Sequence, residues 1–404
     1  MLKKIKVQDV QVGMYIHEVC GSWMDHPFWQ KAFKLTKEKD LKALSAYHIK
    51  EVWIDTDKGL DVDADTTSVS VEEEKTQINS ELQQIAAQAK KPIPRASLQD
   101  ELVRARKILS KAKKGVISMF NEARMGKAVE VGHAAEMVEE INHSITRNPD
   151  ALLSLVRLKN ATDYTYMHSI AVSGLMLALG KELGLDSTLL HEAGVAGLLH
   201  DVGKIFIPGK ILNKTGQLTS EEFAIMKTHP QQGWDLLKRS HDINDIALDV
   251  CLHHHERIDG KGYPNQLSGE ALSLFARMGA ICDVYDAITS TRCYKASWEP
   301  AESLRKMAEW KEGQFDETLF SAFVKTIGIY PSGTLVKLKS GRLAVVTEQT
   351  EASLLKPVVK VFFSTNSMAH IMPQVVDLSQ SPDTIISKED PQQWGFDLGK
   401  YTAL

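Results

Sequence analysis

The chain has 404 residues, with 48 Lys and Arg against 52 Asp and Glu, a formal net charge of −4, and 43% hydrophobic residues. This composition excludes an intrinsically disordered chain, and the absence of a positive net charge argues against a general binder of DNA, RNA or anionic membrane. The four cysteines form no C-x-x-C pair, which argues against a disulfide framework or a zinc ribbon. The length predicts two or three domains.

The sequence shows no targeting or membrane segment. The start, MLKKIKVQDVQVG, lacks an apolar core, and no stretch reaches the roughly 18 apolar residues that a spanning helix needs. We therefore expect a cytoplasmic protein without a membrane partner.

Residues 1–60 predict a small α+β module. β-branched and aromatic runs at 5–10, 14–19 and 51–54 predict strands, and the segment 37–47 has helical spacing. The acidic, polar stretch that follows, 61–95, predicts a solvated linker.

Residues 96–149 predict connecting helices. From Leu98 to Met119, apolar residues recur at alternating spacings of four and three, which is typical of a helix that packs along a second helix. Two alternatives remain open at this stage: a parallel homodimer contact, or packing on the chain's own helices.

Residues 150–330 alternate helical patterns with short Gly, Pro and Asn breaks, and they predict an all-helical domain. After it, runs at 334–338, 343–347 and 358–363 predict strands, so that 331–404 forms a small β-rich appendage. The predicted fold class is mainly α, with a small α+β domain before the helical domain and a small β appendage after it.

Histidines are concentrated in the helical domain. Eight of the 14 histidines lie in the 88 residues from His168 to His255, where even placement gives about three, since 14 × 88/404 ≈ 3. With the nearby aspartates they form a set of candidate metal ligands: His168, His200, Asp201, His229, His253, His254, His255 and Asp283. Mixed imidazole and carboxylate ligands suit Fe, Mn, Zn or similar ions, and the lack of thiolates argues against a structural zinc site.

Four motifs stand in this region: HDVGKIFIP at 200–208, KTGQLTSEEFAIMKTHP at 214–230, HHERIDGKGYP at 254–264 and DVYDAITSTRCYK at 283–295. Together they resemble the HD-GYP family of cyclic-dinucleotide phosphodiesterases, a branch of the HD metal-dependent phosphohydrolase superfamily. Residues 1–60 are similar to a domain of unassigned function that often precedes HD-GYP domains, which implies a regulatory module.

The resemblance implies a site with two divalent metal ions, with Fe or Mn favoured and Ni, Co or Zn possible. The family's ligand positions fall on His168, His200, Asp201, His229, His254, His255 and Asp283. Asp201 is the implied bridging carboxylate, because its two oxygens can bind two cations. Some family members hold a third metal through a Glu that this chain replaces by Tyr164, so we expect two metals.

The resemblance also implies roles for residues around the metals. Lys204 is expected to bind the scissile phosphate and its transition state, and Asp286 to orient a ligand or the attacking water, with a structural hydrogen bond as the alternative. Arg292 and Lys295 match positions that hold a phosphate or a guanine edge. Tyr263, in the GYP signature, contacts the ligand or belongs to a structural or partner-docking loop.

Two further residues of the HHE motif have less defined roles. Glu256 is a candidate for orienting a neighbouring group, as Asp286 is. The extra histidine before the motif, His253, is expected to be a bystander, because three successive side chains on a helix point in different directions.

The implied activity is hydrolysis of a cyclic dinucleotide to its linear form by water activated between two metals. Cyclic di-GMP leads as substrate, and 3′3′-cyclic GMP-AMP is a competitor. A catalytically inactive receptor that signals through the amino-terminal module and an HD-type nucleotidase are the alternatives. The complete ligand set favours an enzyme, and the HHE and GYP elements favour a cyclic-dinucleotide substrate over a nucleotidase reaction.

Overall fold

A computed structural model describes most of the chain: residues 1–20, 32–36, 41, 44, 49–62, 68–86, 96–157, 164–214, 216–290, 298, 300–350, 353, 355–396 and 398. The helix expected at 37–47 falls largely outside these residues, as do Arg292 and Lys295. The described residues form a helical body with an antiparallel sheet before it and another after it, which confirms the expected fold class.

The amino-terminal sheet has strands β1 (Leu2–Lys6), β2 (Tyr15–Val19), β3 (Phe33–Lys34), β4 (Glu51–Asp55) and β5 (Val69–Ser70). They pair antiparallel in the order β3-β2-β4-β1-β5. Ile5, Ile16 and Ile54 are fully or almost fully buried in the core of this sheet. Apolar side chains of β1, β2 and β4 therefore give the module its own core.

The solvated linker predicted at 61–95 is wrong over at least 71–86, where the structure has helix α1 (Val71–Ala86). Glu72, Glu73 and Glu74 lie in its first turn, where the positive end of the helix dipole stabilises acidic side chains. Ile78 and Leu82, one helical turn apart, are buried in the core of the helical body. The acidic run that suggested a linker is therefore the amino-terminal turn of a packed helix.

The helical body consists of α2 (Leu98–Arg124), α3 (Val131–Arg147), α4 (Pro149–Arg157), α5 (Tyr164–Glu182), α6 (Ser187–Leu199), α7 (Gly209–Leu212), α8 (Ser220–Met226), α9 (His229–Leu237), α10 (Asp245–His253), α11 (Leu274–Thr289), α12 (Pro300–Gln314) and α13 (Glu317–Ile327). Helices α5, α6 and α11 lie in the interior, since nearly all the residues in the middle of each are buried. In the described part of the chain, no helix combines the length and apolarity that a bilayer span requires.

The apolar residues that recur along α2, here called the apolar stripe, pack against other parts of the same chain. Leu102, Ala105, Leu109 and Val116 are buried, and α2 contacts α3 and α4. Ser97 caps the helix by accepting a hydrogen bond from the backbone N–H of Asp100 at 3.2 Å. The stripe is therefore covered by the chain's own helices, the second of the two alternatives, and the possible homodimer stays a prediction.

The carboxy-terminal sheet has strands β6 (Leu335–Leu338), β7 (Arg342–Glu348), β8 (Val358–Ser364), β9 (Ala369–Asp377) and β10 (Ile385–Lys388), followed by helix α14 (Pro391–Trp394). The strands pair antiparallel in the order β10-β6-β7-β8-β9. The sequence predicted β6, β7 and β8 but missed the two edge strands. In β9 most side chains are exposed and Pro373 interrupts the run, so no hydrophobic alternation marks the strand.

Candidate active site

Five helices bring the predicted metal ligands to one buried position. His168 lies on α5, His200 and Asp201 follow α6, His229 begins α9, His254 and His255 follow α10, and Asp283 lies on α11. All seven side chains are buried. Their ligand atoms form two clusters with the separations expected of metal ligands: Asp201, His229, His254 and His255 in one, and His168, His200 and Asp283 in the other.

Asp201 lies between the two clusters, with one carboxylate oxygen toward each. Its Oδ1 is 3.3 Å from His229 Nε2 and 3.7 Å from His254 Nε2. Its Oδ2 is 3.3 Å from His168 Nε2 and 3.4 Å from His200 Nε2. This is the arrangement that a bridging carboxylate needs.

Asp283 also contacts imidazoles of both clusters. Its Oδ1 is 2.9 Å from His168 Nε2 and 3.9 Å from His200 Nε2, and its Oδ2 is 3.7 Å from His255 Nδ1. The two aspartates therefore face the imidazoles of both clusters from α6 and from α11.

Hydrogen bonds outside the clusters fix the orientation of the imidazole rings. The Nδ1–H groups of His200, His229 and His254 donate to backbone carbonyls three or four residues earlier, at 2.8, 2.8 and 3.0 Å. His168 Nδ1 lies 2.6 Å from a carboxylate oxygen of Asp286. In each ring the Nε2 atom is left to face the site, as metal-binding histidines require.

Asp286 thus contacts the predicted ligand His168 directly. It lies one helical turn after Asp283 on α11, and both carboxylates face His168. Of the two roles expected for Asp286, orienting a ligand and orienting water, this contact matches the first.

Electrostatics favour ionised carboxylates and three neutral imidazoles. Burial lowers the pKa of His229, and burial together with neighbouring imidazoles lowers the pKa of His254 to about 3 and that of His255 well below its usual range. Burial alone would raise the pKa values of Asp201 and Asp283, but neighbouring cationic groups and hydrogen bonds hold both well below the usual range.

His168 differs from these imidazoles. Burial opposes its protonation, but hydrogen bonds to Asp201, Asp283 and Asp286 outweigh burial and raise its pKa to about 9. A protonated imidazole cannot bind a cation, so binding at this position displaces a proton.

Several buried polar atoms of the site make no hydrogen bond within the described part of the chain. They are Nε2 of His200, Oδ1 of Asp201 and Nδ1 of His255. Such atoms are rare in protein interiors, and a bound cation would satisfy them all. The residues present therefore fit divalent metal ions.

Lys204 lies at the entrance of the site. It follows Asp201 by three residues in a 3₁₀ turn (Val202–Phe206), and its ammonium group pairs with Asp201 Oδ2. Its side chain is 17% exposed. The lysine therefore contacts the carboxylate of Asp201 and also reaches solvent.

The GYP signature packs against one of the predicted metal ligands, His255. The ring of Tyr263 stacks on that of His255, with centroids 4.8 Å apart and planes at 27°. A Cβ atom at Gly262 would lie 2.3 Å from the Cα of Glu256, so only glycine fits there. The Tyr263–Pro264 peptide bond is cis.

Lys227 is a residue at this position that sequence reasoning missed. Its Nζ lies 5.3 Å from the ring centroid of Tyr263 and 4.7 Å from that of Phe223, in cation–π geometry. Lys227 lies two residues before His229, in the same motif as this predicted ligand. This closeness in the sequence could have identified it.

Comparisons with known proteins agree with this architecture. Residues 2–134 match the family described as a domain of unknown function (DUF3391), and residues 141–319 match the HD domain. The first match spans the predicted module, the segment predicted to be a linker, and α2. The chain therefore has an amino-terminal domain of the DUF3391 family, followed by an HD domain.

Curated relatives define the family more closely. The cyclic di-GMP phosphodiesterase PA4108 of Pseudomonas aeruginosa is 50% identical over 399 residues, which cover 98% of this chain and 94% of that protein. The cyclic di-GMP phosphodiesterase response regulator RpfG of Xanthomonas campestris pv. campestris is 39% identical over 155 residues, 38% of this chain and 40% of the relative. The 3′3′-cGAMP-specific phosphodiesterase 1 of Vibrio cholerae is 31% identical over 202 residues, 46% of this chain and 47% of the relative. The chain belongs to the HD-GYP family of cyclic-dinucleotide phosphodiesterases, as its motifs indicated.

Proposed function

We propose that this chain hydrolyses cyclic di-GMP to the linear dinucleotide in a site with two divalent metal ions. The observation that carries the proposal is the position of Asp201, whose two oxygens each face one cluster of buried imidazoles. The relative that aligns with 98% of the chain is a cyclic di-GMP phosphodiesterase, which supports this substrate.

Seven residues would hold the metals. His229, His254 and His255 would bind one ion, His168, His200 and Asp283 the other, and Asp201 both. When bound, a pair of ions supplies Lewis acidity that makes water a stronger nucleophile and neutralises charge on the phosphate. Fe or Mn is favoured, and Ni, Co or Zn fits the same donors.

The chain's own side chains would do the remaining work. Lys204 is a positive charge next to Asp201, placed to bind the scissile phosphate and to stabilise charge that develops on its oxygens. Asp286 would hold the ring of His168 in position. Arg292 and Lys295 would bind a second phosphate or a guanine edge, as the family motif implies.

Cyclic GMP-AMP linked 3′ to 5′ at both bonds is the second candidate substrate. A relative with this specificity is 31% identical over 202 residues, which cover 46% of the chain. A guanine and an adenine differ in only a few donors and acceptors, so one base contact suffices to choose between them. An inactive receptor is disfavoured, because every predicted metal ligand is present and buried.

A product assay tests the proposal directly. Purified protein loaded with Mn, Fe or Ni is incubated with cyclic di-GMP and, in parallel, with 3′3′-cyclic GMP-AMP, and the products are separated by chromatography. We expect linear dinucleotide from cyclic di-GMP at the higher kcat/KM. If metal-loaded protein binds a cyclic dinucleotide and cleaves neither, the chain is a receptor and the proposed activity is refuted.

A further inference from the structure

His253, the first histidine of the run at 253–255, belongs to neither cluster of candidate metal ligands. Its Nδ1–H donates to Asp249 Oδ1 at 2.7 Å, one turn earlier on α10. Since Asp249 takes the proton-bearing nitrogen, Nε2 of His253 has a lone pair, and it accepts a hydrogen bond from the Asn265 side-chain amide at 3.0 Å. The expected bystander therefore joins α10 to the loop that carries the GYP signature.

Asp249 in turn connects His253 to α11, the helix that carries Asp283. The second carboxylate oxygen of Asp249 accepts a hydrogen bond from the hydroxyl of Ser273. Ser273 is the N-cap of α11, and its Oγ accepts the backbone N–H of Ala276 at 3.0 Å. His253 thus links the GYP loop to the start of the helix that presents Asp283 and Asp286.

Glu256 forms a hydrogen bond with the backbone of the same loop residue, Asn265. Its side chain is buried, and Oε1 accepts the backbone N–H of Asn265 at 2.6 Å. Asn265 is therefore fixed twice, by its amide side chain through His253 and by its main chain through Glu256. Glu256 is not part of either cluster of candidate metal ligands.

Asn265 lies two residues after Tyr263, so its position determines where the tyrosine lies. The Tyr263 backbone N–H donates to the carbonyl of His255 at 3.3 Å, and its ring stacks on the imidazole of His255. A loop released at Asn265 would lose the constraint that keeps this ring against a candidate metal ligand and at the entrance of the site.

We propose that Glu256 and His253 are positioning residues that act through Asn265 to hold the GYP loop, residues 257–268, over the metal site. The proposal rests on the proposed function, and it adds which residues hold the GYP loop in place. It makes Glu256 a hydrogen-bond acceptor for the loop and gives it no part in metal binding or proton transfer.

Substitution of Glu256 separates these roles. Glu256→Gln retains the carbonyl oxygen that accepts the Asn265 N–H but can neither bind a cation as a carboxylate nor transfer a proton. We expect Glu256→Gln to keep kcat/KM for cyclic di-GMP within about twofold, and Glu256→Ala to lose about tenfold, mainly through KM, at unchanged metal content. If Glu256→Gln loses as much activity as Glu256→Ala, the proposal is overturned.

A double-mutant cycle tests the link through His253. Asn265 is exposed, so Asn265→Ala should fold, and it removes only the side-chain contact because its backbone N–H remains. If His253 acts through Asn265, then His253→Ala, Asn265→Ala and the double variant lose similar activity, about threefold to tenfold. Independent losses that multiply in the double variant contradict the proposal. His143→Ala, an exposed histidine paired with Glu139 on α3, is the control and should be unchanged.

A measurement without substrate keeps this inference separate from the proposed activity. Amide hydrogen exchange of the metal-loaded full chain reports the opening of residues 257–268 whether or not cyclic dinucleotides are cleaved. We expect faster exchange there in Glu256→Ala and Asn265→Ala, and wild-type exchange in Glu256→Gln. Wild-type exchange in all three variants refutes the positioning role, whereas wild-type protein that cleaves no cyclic dinucleotide refutes only the proposed function.

Discussion

The carboxylate of Asp201 illustrates how a single residue type can define this site. An imidazole offers one nitrogen toward the site, because the other is bound by a backbone carbonyl or by Asp286. A carboxylate offers two equivalent oxygens, and in Asp201 each faces a different cluster. The adjacent residue His200 places its Nε2 beside Oδ2. If the two clusters bind metal ions as proposed, the HD pair would supply one bridging and one terminal donor.

Asp286 provides a test at the scale of one residue. Asp286→Asn keeps the size of the side chain but removes the charge that orients and polarises His168. We expect metal affinity to fall by roughly tenfold to a hundredfold, the usual effect of removing such a partner, with the fold intact. Metal titration followed by competition with a chelator measures the affinity.

Asp235→Asn is a matched control for Asp286→Asn, since Asp235 is an exposed aspartate on α9. The metal affinity of Asp235→Asn should equal that of the wild type. If Asp286→Asn also binds metal as the wild type does, Asp286 has no role in orienting His168.

The residues that sequence reasoning placed at the site share one property: each belongs to a motif in which its neighbours are informative. The structure brings all seven expected ligands together and places Asp286 beside them. The contacts of Lys227 with Tyr263 and of His253 with Asn265 were not expected, because they depend on how loops from different helices meet. Spacing along one helix carries no information on such contacts.

At the scale of elements, α12 connects the parts of the molecule. Lys306 lies 3.2 Å from Glu18 on β2, and Glu302 lies 2.9 Å from Lys388 on β10. At its end, the carbonyl of Gly313 accepts the backbone N–H of Asp259, in the GYP loop, at 3.0 Å. One helix therefore contacts both sheets and the loop that covers the site.

Glu302 makes the stability of this junction sensitive to pH. Burial opposes its ionisation, but Arg305 and Lys388 outweigh burial and lower its pKa to about 2, against a usual value of 4.5. A carboxyl whose pKa is depressed on folding contributes stability above its unfolded pKa, and the contribution is lost as the pH falls from about 4.5 toward 2. After solvent screening of the partly exposed side chain, it amounts to roughly 1 to 2 kcal/mol.

Glu302→Gln tests this expectation. The variant should unfold at lower denaturant concentration than the wild type at pH 7, and the difference should shrink as the pH falls below about 4.5. Urea unfolding at several pH values measures it, with Glu136→Gln, at an exposed position within α3, as control. A difference that stays constant with pH would show that the charge of Glu302 contributes nothing.

The elements also show where sequence patterns fail. The heptad stripe of α2 predicted a helix correctly but left its partner open, because packing against α3 and α4 produces the same pattern as a dimer contact. The acidic run in the first turn of α1 resembled a linker, because the start of a helix favours acidic residues that are also typical of linkers. Edge strand β9 was missed because its exposed side chains leave no alternation.

At the scale of the whole molecule, the net charge of −4 is compatible with a dianionic substrate. The positive charge that cyclic dinucleotides require would be local, supplied by the two ions and by Lys204 at the entrance. The amino-terminal and carboxy-terminal sheets both contact the helical body through α12. Partner proteins that bind the GYP loop or the amino-terminal domain remain a prediction.

Metal stoichiometry tests whether Asp201 bridges two metal ions. Mass spectrometry counts the ions in the wild type and in Asp201→Ala, and turnover is measured on the same samples. We expect two ions per wild-type chain, loss of both from the variant, and a fall in turnover on the order of a hundredfold or more. One ion per wild-type chain, or a variant that retains two ions and its turnover, would show that Asp201 does not bridge two metal ions.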